Sequence, residues 1–358
     1  MVKREAVRPV AKVAKRASAT PGEKRAASAR PVAKRASPAP RAKRAAVAPR
    51  FLVPRGEDSA EVPIEGKVLR LTHLHKMFFP EAGLTKADLL QYYADIAPVL
   101  LPHIRGRAMV MKRYPGGING DFFFMKRAPS PRPDFIKTCQ IQHGAHLVDF
   151  PCIDDLASLL WVINLGCVDL NPWYGRCDDA DKPDYLHFDL DPFEGATWEA
   201  VVETAQILRS ALEALALPTY VKTTGSKGLH VYVPIERGPS QREVWTFAKT
   251  LGTLVAGEHP DLMTVKYRIS TRPKQRVLVD YNQNASGRTL ASIYSVRPRP
   301  RATVSTPVTW DELEAGVTID DFRIDNVPAR VAERGDLWAG VVAASGRADL
   351  SRFPIPGG

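Results

Sequence analysis

Residues 185–192 read YLHFDLDP, and the predictions of fold and chemistry rest first on this short stretch. If it forms a β-strand, its side chains alternate between the two faces of a sheet, which places Asp189 and Asp191 on one face. The leucine and phenylalanine residues that alternate with them then face a core. Two carboxylates at this spacing lie about 7 Å apart and repel each other unless a positive charge lies between or above them.

A divalent cation such as Mg²⁺ or Mn²⁺ meets that requirement, because hard cations prefer carboxylate oxygens. Two such ions about 3.5–4 Å apart can activate an attacking hydroxyl group and stabilise a leaving pyrophosphate. The plain alternative is a solvated pair at the end of a strand that Pro192 terminates, since an Asp-x-Asp pattern alone is a weak signal. Two further segments favour the catalytic interpretation.

A glycine-containing loop is the first of these segments. Residues 222–234 read KTTGSKGLHVYVP. Gly225 and Gly228 permit a tight loop whose backbone N–H groups can cradle a phosphate. Ser226 and Lys227 add a hydroxyl donor and a positive charge for the same anion. The alternative is a simple turn between two elements, and the pattern does not match the Walker motif of P-loop nucleotide hydrolases.

The strand expected at residues 229–233 follows this loop. Its apolar residues share one face, which leaves His230 on the other face and within reach of a phosphate held by the loop. We therefore expect His230 to contact the phosphate together with the loop residues.

The second segment, residues 276–284, reads RVLVDYNQN. Asp280 ends an apolar strand, where a buried and unpaired charge would be costly. Completing a metal site with the other two aspartates would offset that cost. The alternative is a salt bridge to Arg276, Arg268 or Arg288, and the polar residues that follow either hold a ligand or form a turn.

Composition places the excess positive charge outside the catalytic segments. The 358 residues carry a net charge of +11, with an ordinary hydrophobic fraction of 44%. Residues 1–50 contain 15 Lys and Arg but only two acidic residues, whereas the remainder is close to neutral. No apolar run approaches the ~20 residues that a membrane span needs. The N-terminus lacks the apolar stretch of a secretory signal, so we expect a cytosolic protein.

The basic N-terminus is predicted to be disordered, because it can bury too little apolar surface to offset its chain entropy. The triplet Lys-Arg-Ala recurs every nine or ten residues, at 15–17, 24–26, 34–36 and 43–45. A tether that binds nucleic-acid phosphates without sequence preference fits this pattern, and a solvated linker without a partner is the alternative. Deletion of residues 1–50 is expected to weaken DNA binding mainly at low salt.

Helical and extended patterns alternate along the rest of the chain. Thr85 and Asp88 form a capping-box pattern ahead of a helix, and residues 198–217 form a second amphipathic helix. Strands between such helices indicate an α+β body. We expect residues 1–66 to be tail and linker, and residues 67–358 to be one catalytic module.

Four cysteines are scattered through this body, at positions 139, 152, 167 and 177. They form no C-x-x-C pair and no zinc-ligand spacing with histidine, so the sequence favours reduced packing residues over disulfides or metal ligands.

These motifs, in this order and spacing, resemble the polymerase domain of bacterial ligase D, within the archaeo-eukaryotic primase superfamily. The resemblance runs from about Lys67 to Leu313 and implies an RRM-like catalytic core with a mixed sheet and flanking helices. It implies that Asp189, Asp191 and Asp280 bind two Mn²⁺ or Mg²⁺ ions. Within this family, the chain looks more like the stand-alone primase-polymerases, which act beside a separate ligase.

The resemblance also implies contacts to an incoming nucleoside triphosphate. Ser226, Lys227 and His230 match positions on the triphosphate side, and so do Arg297 and Lys112. Where the family commonly carries histidine in a Glu-x-His-x-Trp-like stretch, this chain has Asn171, which can form hydrogen bonds but cannot become cationic.

Contacts to DNA are implied by two further pairs. Lys76 and Lys86 resemble the residues that bind a 5′-phosphate at a break, and a solvated helix face is the alternative. Phe123 and Phe124 resemble a pair that stacks on template bases, although adjacent phenylalanines more often form a core strand.

The function that follows is nucleotide addition, with a preference for ribonucleotides, at gaps or ends during DNA break repair by end joining. The chain contains no Lys-x-Asp-Gly ligase motif, so the expected partners are a separate DNA ligase, a Ku-type end-binding protein and gapped DNA. We expect a cytoplasmic, nucleoid-associated enzyme. The alternative is a non-catalytic module that binds DNA ends and recruits a ligase.

Overall fold

The folded body begins earlier than the sequence suggested. The structure is a computed structural model that describes residues 51–354, so the tail expected at residues 1–50 lies outside the described residues. Strand β1 (Ser59–Ile64) pairs antiparallel with β2 (Lys67–Thr72). The boundary expected at Lys67 therefore falls inside a hairpin and is corrected here.

The segment at residues 51–66, expected to be a linker, is packed against the body. Val62 and Ile64 alternate with exposed residues on β1 and are buried. Val53 is also buried, and its N–H donates a hydrogen bond to the side chain of Gln91. So few apolar residues give too short a pattern for the sequence alone to distinguish a strand from a linker.

Seven α-helices lie in the described part of the chain. They are α1 (Lys86–Ile104), α2 (Leu156–Asn164), α3 (Trp198–Ala214), α4 (Gln241–Glu258), α5 (Trp310–Glu314), α6 (Val327–Arg334) and α7 (Ala339–Val342). The capping box before α1 is confirmed, because the Thr85 hydroxyl accepts from the Asp88 N–H and the Asp88 carboxylate accepts from the Thr85 N–H. No helix within residues 51–354 is long and apolar enough to cross a membrane.

The remaining strands are short. Before residue 175 they are β3 (Met77–Phe79), β4 (Leu84–Thr85), β5 (Met109–Arg113), β6 (Phe123–Met125), β7 (Thr138–His143), β8 (His146–Pro151) and β9 (Cys167–Pro172). After that point they are β10 (Gly175–Arg176), β11 (Asp179–Pro183), β12 (Tyr185–Pro192), β13 (Tyr220–Thr223), β14 (Leu229–Pro234), β15 (Met263–Thr264), β16 (Val277–Asp280) and β17 (Pro307–Val308).

A six-stranded mixed sheet, in the order β15-β16-β12-β14-β13-β17, forms the centre of the fold. Only β15 and β16 run parallel, and the other neighbours are antiparallel. The strands expected at 185–191, 229–233 and 276–281 are therefore three adjacent strands of one sheet. The predicted α+β class, with a mixed sheet and flanking helices, is confirmed.

Helices α3 and α4 pack on one face of the central sheet. Leu186, Phe188 and Leu190 on β12 are fully buried on that face, as the alternation predicted. Gly252 on α4 lets the helix come close to Phe188, because a Cβ at Gly252 would lie 3.4 Å from the ring. The other face of the sheet carries the alternate side chains of β12 and is turned toward a second sheet.

The second sheet contains three antiparallel strands in the order β6-β5-β9. The segment before β17 joins the two sheets: the N–H of Ser292 donates to the carbonyl of Leu170, and the Leu170 N–H donates to Ser295 Oγ. Two ribbons, β7–β8 and β10–β11, extend from this part of the fold.

The cysteines do not all behave as the sequence predicted. Cys139 and Cys177 form a disulfide, with their Cα atoms 5.6 Å apart, whereas Cys152 and Cys167 are free and buried. The prediction of four reduced packing residues is therefore wrong for one pair. The fold brings Cys139 on β7 next to the β10–β11 ribbon, a long-range contact that residue spacing cannot reveal.

Candidate active site

Three carboxylates meet on the face of the central sheet opposite α3 and α4. Asp189 and Asp191 lie on β12, and Asp280 on β16 is the direct antiparallel partner of Asp189. Directly opposed residues of antiparallel strands send their side chains to the same face, so the three carboxylates converge. Asp189 and Asp191 line a cavity of about 370 Å³, whereas Asp280 lies behind its wall.

Burial and mutual repulsion make Asp189 and Asp191 difficult to ionise. Burial, followed by the charge of Asp280, raises the pKa of Asp189 to about 7. The charge of Asp189, followed by burial, raises the pKa of Asp191 to about 7. The charges of Lys222 and Arg297 lower the pKa of Asp189 but do not offset burial and repulsion.

The residues present fit a hard divalent cation. Asp189 is only 7% exposed, and no residue in the described range donates a hydrogen bond to its Oδ1 atom. Carboxylate oxygens are the donors that Mg²⁺ and Mn²⁺ prefer, and a cation would favour the ionised form of each group. One divalent cation would therefore both bind the unpartnered oxygen and lower the raised pKa values.

Asp280 is held in place from the residues just beyond it. Its Oδ1 accepts a hydrogen bond from the Asn282 N–H at 2.8 Å, and its Oδ2 accepts one from Gln283 Nε2 at 2.9 Å. Arg276, considered from sequence as an ion-pair partner, contacts Asp261 instead at 3.2 Å. The polar residues after β16 thus orient the carboxylate as well as forming a turn.

Asn284 fixes the register between β16 and β12. Its Nδ2 donates to the carbonyl of His187 at 2.7 Å, and its Oδ1 accepts from the His187 N–H at 3.1 Å. The buried amide therefore occupies the backbone positions that another strand would use. Because a slip of one residue would turn Asp280 to the other face, this clamp keeps it opposite Asp189.

His230 lies beside the carboxylates as well as at the cavity wall. Its Nε2 atom is 3.1 Å from Asp189 Oδ1, although the contact lacks hydrogen-bond geometry. Burial, followed by the charges of Lys222 and Arg297, lowers the pKa of His230 well below its ordinary value. The ring is therefore neutral, and it can contact a phosphate only by donating a hydrogen bond from its one N–H.

The loop at residues 224–228 has a different internal arrangement from the one expected. The N–H groups of Ser226, Lys227 and Gly228 all point at Thr224 Oγ1, each at 3.1 Å. These amides were expected to cradle a phosphate, but Thr224 already occupies them. The physical reason is that a threonine hydroxyl at the start of a tight loop competes for the nearest backbone donors.

The two glycines of this loop allow close packing. Gly225 has a positive φ of 63°, and a Cβ there would lie 2.7 Å from Arg297 Cγ. A Cβ at Gly228 would overlap the carbonyl oxygen of Leu190. Ser226 lines the cavity, and its Oγ accepts a hydrogen bond from Arg299 at 2.7 Å. Lys227 is exposed at the edge and does not line the cavity.

Arg297 is the most firmly oriented cation of the cavity. Its Nη1 donates to the carbonyl of Thr224 at 2.7 Å, and its Nε lies 3.3 Å from Asp169 Oδ2. Ser295 Oγ lies 3.3 Å from the other Asp169 oxygen. Asp169 is buried on β9, so it fixes the guanidinium while both residues contribute to the cavity wall.

Lys112 and Asn171 reach the same cavity from the second sheet. The ammonium of Lys112 on β5 lies over the ring of Phe122, 4.2 Å from its centroid. Asn171 on β9 donates from Nδ2 to the carbonyl of Asp169 at 3.1 Å. The complete lining consists of Lys112, Phe124, Asp169, Asn171, Asp189, Asp191, Thr224, Ser226, His230, Gln283, residues 287–291 and Arg297.

Phe123 and Phe124 are exposed rather than part of the core. On β6 they are 44% and 57% exposed, which contradicts the core-strand alternative. Neighbouring strand residues point to opposite faces, and Phe124 lines the cavity whereas Phe123 lies against the guanidinium of Arg113. The two rings therefore offer separate surfaces and not one stacked pair.

Lys76 and Lys86 meet in a second cavity, of about 260 Å³, together with Arg113. Lys86 is the first residue of α1 and is buried, with its Nζ donating to the carbonyl of Thr72 at 2.6 Å. Burial, followed by the charge of Lys76, lowers the pKa of Lys86 to about 8. This geometry contradicts the alternative of a solvated helix face for Lys86.

Sequence reasoning gave no role to Asp169 and Lys222. Lys222 is wholly buried on β13 opposite His230, and its Nζ donates to the carbonyl of Ala291 and to Ser305 Oγ. Burial, followed by the charge of Arg297, lowers its pKa well below the ordinary value. Both residues carry the signal that identified Asp280, a charged side chain within an apolar strand.

Comparison with known proteins agrees with this geometry. The family model of the LigD primase-polymerase domain matches residues 85–338. The multifunctional non-homologous end joining protein LigD of Mycolicibacterium smegmatis is 35% identical over 283 residues, which cover 78% of this chain and 37% of that protein. The bifunctional LigD of Bacillus subtilis is 29% identical over 274 residues, covering 76% of this chain and 44% of that protein.

The chain therefore spans less than half the length of these two relatives. Among solved structures, the polymerase domain from Mycobacterium tuberculosis ligase D in complex with DNA superimposes with a TM-score of 0.73 at 31% identity. The match covers 76% of this chain and 98% of that domain. The fold implied by the motifs is thus confirmed, and the chain belongs to the LigD primase-polymerase domain family.

Proposed function

We propose that this chain is a metal-dependent nucleotidyltransferase that extends a primer at gaps or ends during DNA break repair by end joining. The observation that carries the proposal is the convergence of Asp189, Asp191 and Asp280 beside a cavity lined by cations. Asp189 and Asp191 are crowded and buried and have raised pKa values, a combination that is costly for folding and that clusters at functional sites. Membership of a polymerase-domain family supports this chemistry.

Asp189, Asp191 and Asp280 would hold the catalytic Mn²⁺ or Mg²⁺ ions. When bound, such ions supply Lewis-acid activation of the primer hydroxyl and balance the charge of the departing pyrophosphate. The protein's own contribution is to hold the three carboxylates in fixed register. The hydrogen bonds to Asp280 and the clamp from Asn284 accomplish this through backbone and amide groups.

The incoming nucleoside triphosphate would bind in the cavity beside these carboxylates. Arg297 is pre-oriented by Asp169 and Thr224, which reduces the ordering cost of each phosphate contact. Lys112 and Ser226 line the same cavity. Lys227 and His230 would contribute from its edge and wall, with His230 acting as a neutral partner.

We further propose that ribonucleotides are the preferred substrates, as the family resemblance implies. Asn171 lies on the cavity wall where the family commonly carries histidine. It would contact the nucleotide by hydrogen bonds that add no positive charge. Substrate preference at this position is therefore open to direct measurement with matched ribonucleotide and deoxyribonucleotide pools.

DNA would be bound by the second cavity and by the exposed aromatic strand. Lys76, Lys86 and Arg113 gather enough positive charge to bind a 5′-phosphate at a break. Phe124 or Phe123 would stack on a template base, which is worth about 1–3 kcal/mol per base. The similar M. tuberculosis polymerase domain was solved in complex with DNA, which supports a DNA substrate.

The proposed partners are a separate DNA ligase and a Ku-type end-binding protein, acting on the nucleoid in the cytoplasm. The end-joining names of the LigD relatives support this setting. A non-catalytic module that binds DNA ends and recruits a ligase is the competing function. It would use Lys76, Lys86 and Phe123 but would not need the carboxylate cluster.

Primer extension on gapped DNA with a 5′-phosphate separates the two functions. We expect Mn²⁺- or Mg²⁺-dependent incorporation by the natural chain, and its loss in Asp189→Ala and Asp280→Ala. Asp181→Ala, which removes an exposed carboxylate on β11, is the matched control and should extend normally. Incorporation that survives both site substitutions would refute the mechanism, and intact end binding without any turnover would favour the recruiting module.

A further inference from the structure

Three cysteine sulfurs converge at a place that the polymerase chemistry does not use. Cys139 comes from β7, Cys152 follows β8, and Cys177 follows β10. Their Sγ atoms all lie within 4.8 Å of one another, and those of Cys152 and Cys177 are 3.4 Å apart. The disulfide uses Cys139 and Cys177, which leaves Cys152 as a third sulfur against it.

The surroundings of these sulfurs are apolar on the inside. Ala108, Val110 and Ile141 belong to the small hydrophobic cluster that encloses Cys139 and Cys152. Cys177 is only half-buried, so the group is open to solvent on its side. Backbone hydrogen bonds hold two of the cysteines: the Cys152 N–H donates to Lys137 and the Cys177 N–H donates to Gly106.

We propose that Cys139, Cys152 and Cys177, once the disulfide is reduced, bind one Zn²⁺ ion through three thiolates. A dithiol reductant supplies two electrons and two protons to the Cys139–Cys177 bond and becomes a cyclic disulfide itself. Metal binding then displaces one proton from each of the three thiols. The fourth position of the ion is taken by water, on the open side next to Cys177.

Ligand chemistry and spacing support this assignment. Thiolates are soft ligands that select Zn²⁺ over the hard cations expected at the carboxylates. With a Zn–S distance of about 2.3 Å, tetrahedral thiolates lie about 3.8 Å apart, so small side-chain rotations bring these sulfurs to the required spacing.

Such a site would join three separate segments. The β7–β8 ribbon, the residue after it and the β10–β11 ribbon each supply one sulfur, so the metal would link all three. We therefore expect zinc to stabilise the β7–β8 ribbon against proteolysis. None of the three cysteines lines the cavity beside the aspartates, so this inference does not depend on the proposed function.

Metal analysis of the full chain, purified under reducing conditions without chelator, tests the inference. We expect about one bound Zn²⁺ per chain after zinc reconstitution and gel filtration, and a loss of most of it in Cys152→Ser and Cys139→Ser. Cys167→Ala is the matched control, because it removes a buried thiol outside the cluster and should keep the metal. Full zinc content in Cys152→Ser would overturn the proposal.

Cobalt substitution identifies the ligands even if a variant folds poorly. Co²⁺ added to the reduced natural chain should give thiolate-to-cobalt charge-transfer bands in the near ultraviolet, which carboxylate ligands do not produce. Zn²⁺ should displace the cobalt and abolish the bands. Absence of the bands in reduced protein with four titratable thiols, or a disulfide that resists reduction in the folded chain, would show that the cluster is a disulfide with a neighbouring thiol and no metal site.

Discussion

Two cavities in this molecule hold side chains of like charge close together, carboxylates in one and cations in the other. The carboxylate cavity crowds Asp189 and Asp191, and the lysine cavity crowds Lys76 and Lys86 with Arg113. In each, burial and like charges move pKa values toward the neutral form, upward for the aspartates and downward for Lys86. Both cavities therefore hold like charges together at a cost in local stability, which is the pattern expected of functional sites: a cation site at the aspartates and a phosphate site at the lysines are what we propose.

Asp189→Asn tests the carboxylate cavity and should have the largest effect. We expect primer extension to fall by about 10³-fold, because the metal ligand set loses its central charge. Asparagine cannot ionise, so the same substitution removes repulsion within the cluster. Steady-state extension with saturating Mn²⁺ measures the first effect.

The same variant should be more stable than the natural chain when metal is chelated. The pKa of Asp189 is higher in the folded chain than in the unfolded one, so folding binds protons and stability falls as pH rises from about 4 toward 7. At about pH 8 the melting temperature of Asp189→Asn should therefore exceed that of Asp181→Asn, the exposed control, by several degrees. An equal or lower melting temperature would contradict the repulsion inferred here.

Lys86→Met tests the lysine cavity. Charge-assisted hydrogen bonds contribute about 1.5–3 kcal/mol each, so the preference for gapped DNA with a 5′-phosphate over a 5′-hydroxyl should fall by about 10–100-fold. Fluorescence anisotropy with the two DNAs measures the preference. Lys182→Met, which removes an exposed lysine on β11, should leave it unchanged, and a preserved preference in Lys86→Met would move the phosphate site elsewhere.

Asp169→Asn tests a carboxylate of the same cavity that is paired with a cation, Arg297, and not crowded by other carboxylates. Arg297 would lose its ionic partner while keeping its hydrogen bond to Thr224. We expect the KM for the nucleotide to rise about tenfold with a smaller change in kcat. Asp261→Asn is the matched control, since Asp261 pairs with Arg276 on the surface, and an equal effect of both variants would argue against a positioning role.

A pH series gives the smallest expected effect. Burial lowers the pKa of Lys86 to about 8, so its charge is present below that pH and is lost as pH rises above it. Phosphate binding favours the charged form, and the 5′-phosphate preference should therefore fall several-fold between about pH 7 and 9. In Lys86→Arg the guanidinium stays protonated, so its preference should be flat over this range. A flat profile in the natural chain would exclude Lys86 as the titrating group.

Sequence patterns predicted those parts of the fold and site that depend on local periodicity. The alternation around Asp189 fixed a strand face, and an apolar run ending in Asp280 marked its neighbour. The cost of burying Asp280 and the family resemblance predicted that it joins the other two aspartates, but the pairing of the two strands was not predicted, because register across long loops leaves no local signal. The start of the body was missed, since β1 presents too few apolar residues to reveal a strand.

Other features depend on side-chain geometry that no spacing encodes. Thr224 captures the loop amides because its hydroxyl points back along the chain, which a motif of glycines and a lysine does not disclose. The Cys139–Cys177 pairing depends on how two ribbons pack. A role for Asp169 could have been predicted, because it is a carboxylate within an apolar strand, whereas the family motif points only to Asn171 two residues later.

The clamp from Asn284 has a consequence for the biosynthesis of the protein. Asn284 and its partner His187 are 97 positions apart, so the pairing that aligns the carboxylates is a long-range contact. During translation, Asp189 and Asp191 leave the ribosome well before β16 and Asn284 do, and contacts of this separation form late because loop closure precedes them. A nascent or truncated chain therefore carries two of the aspartates without the aligned cluster, which is complete only when β16 has docked against β12.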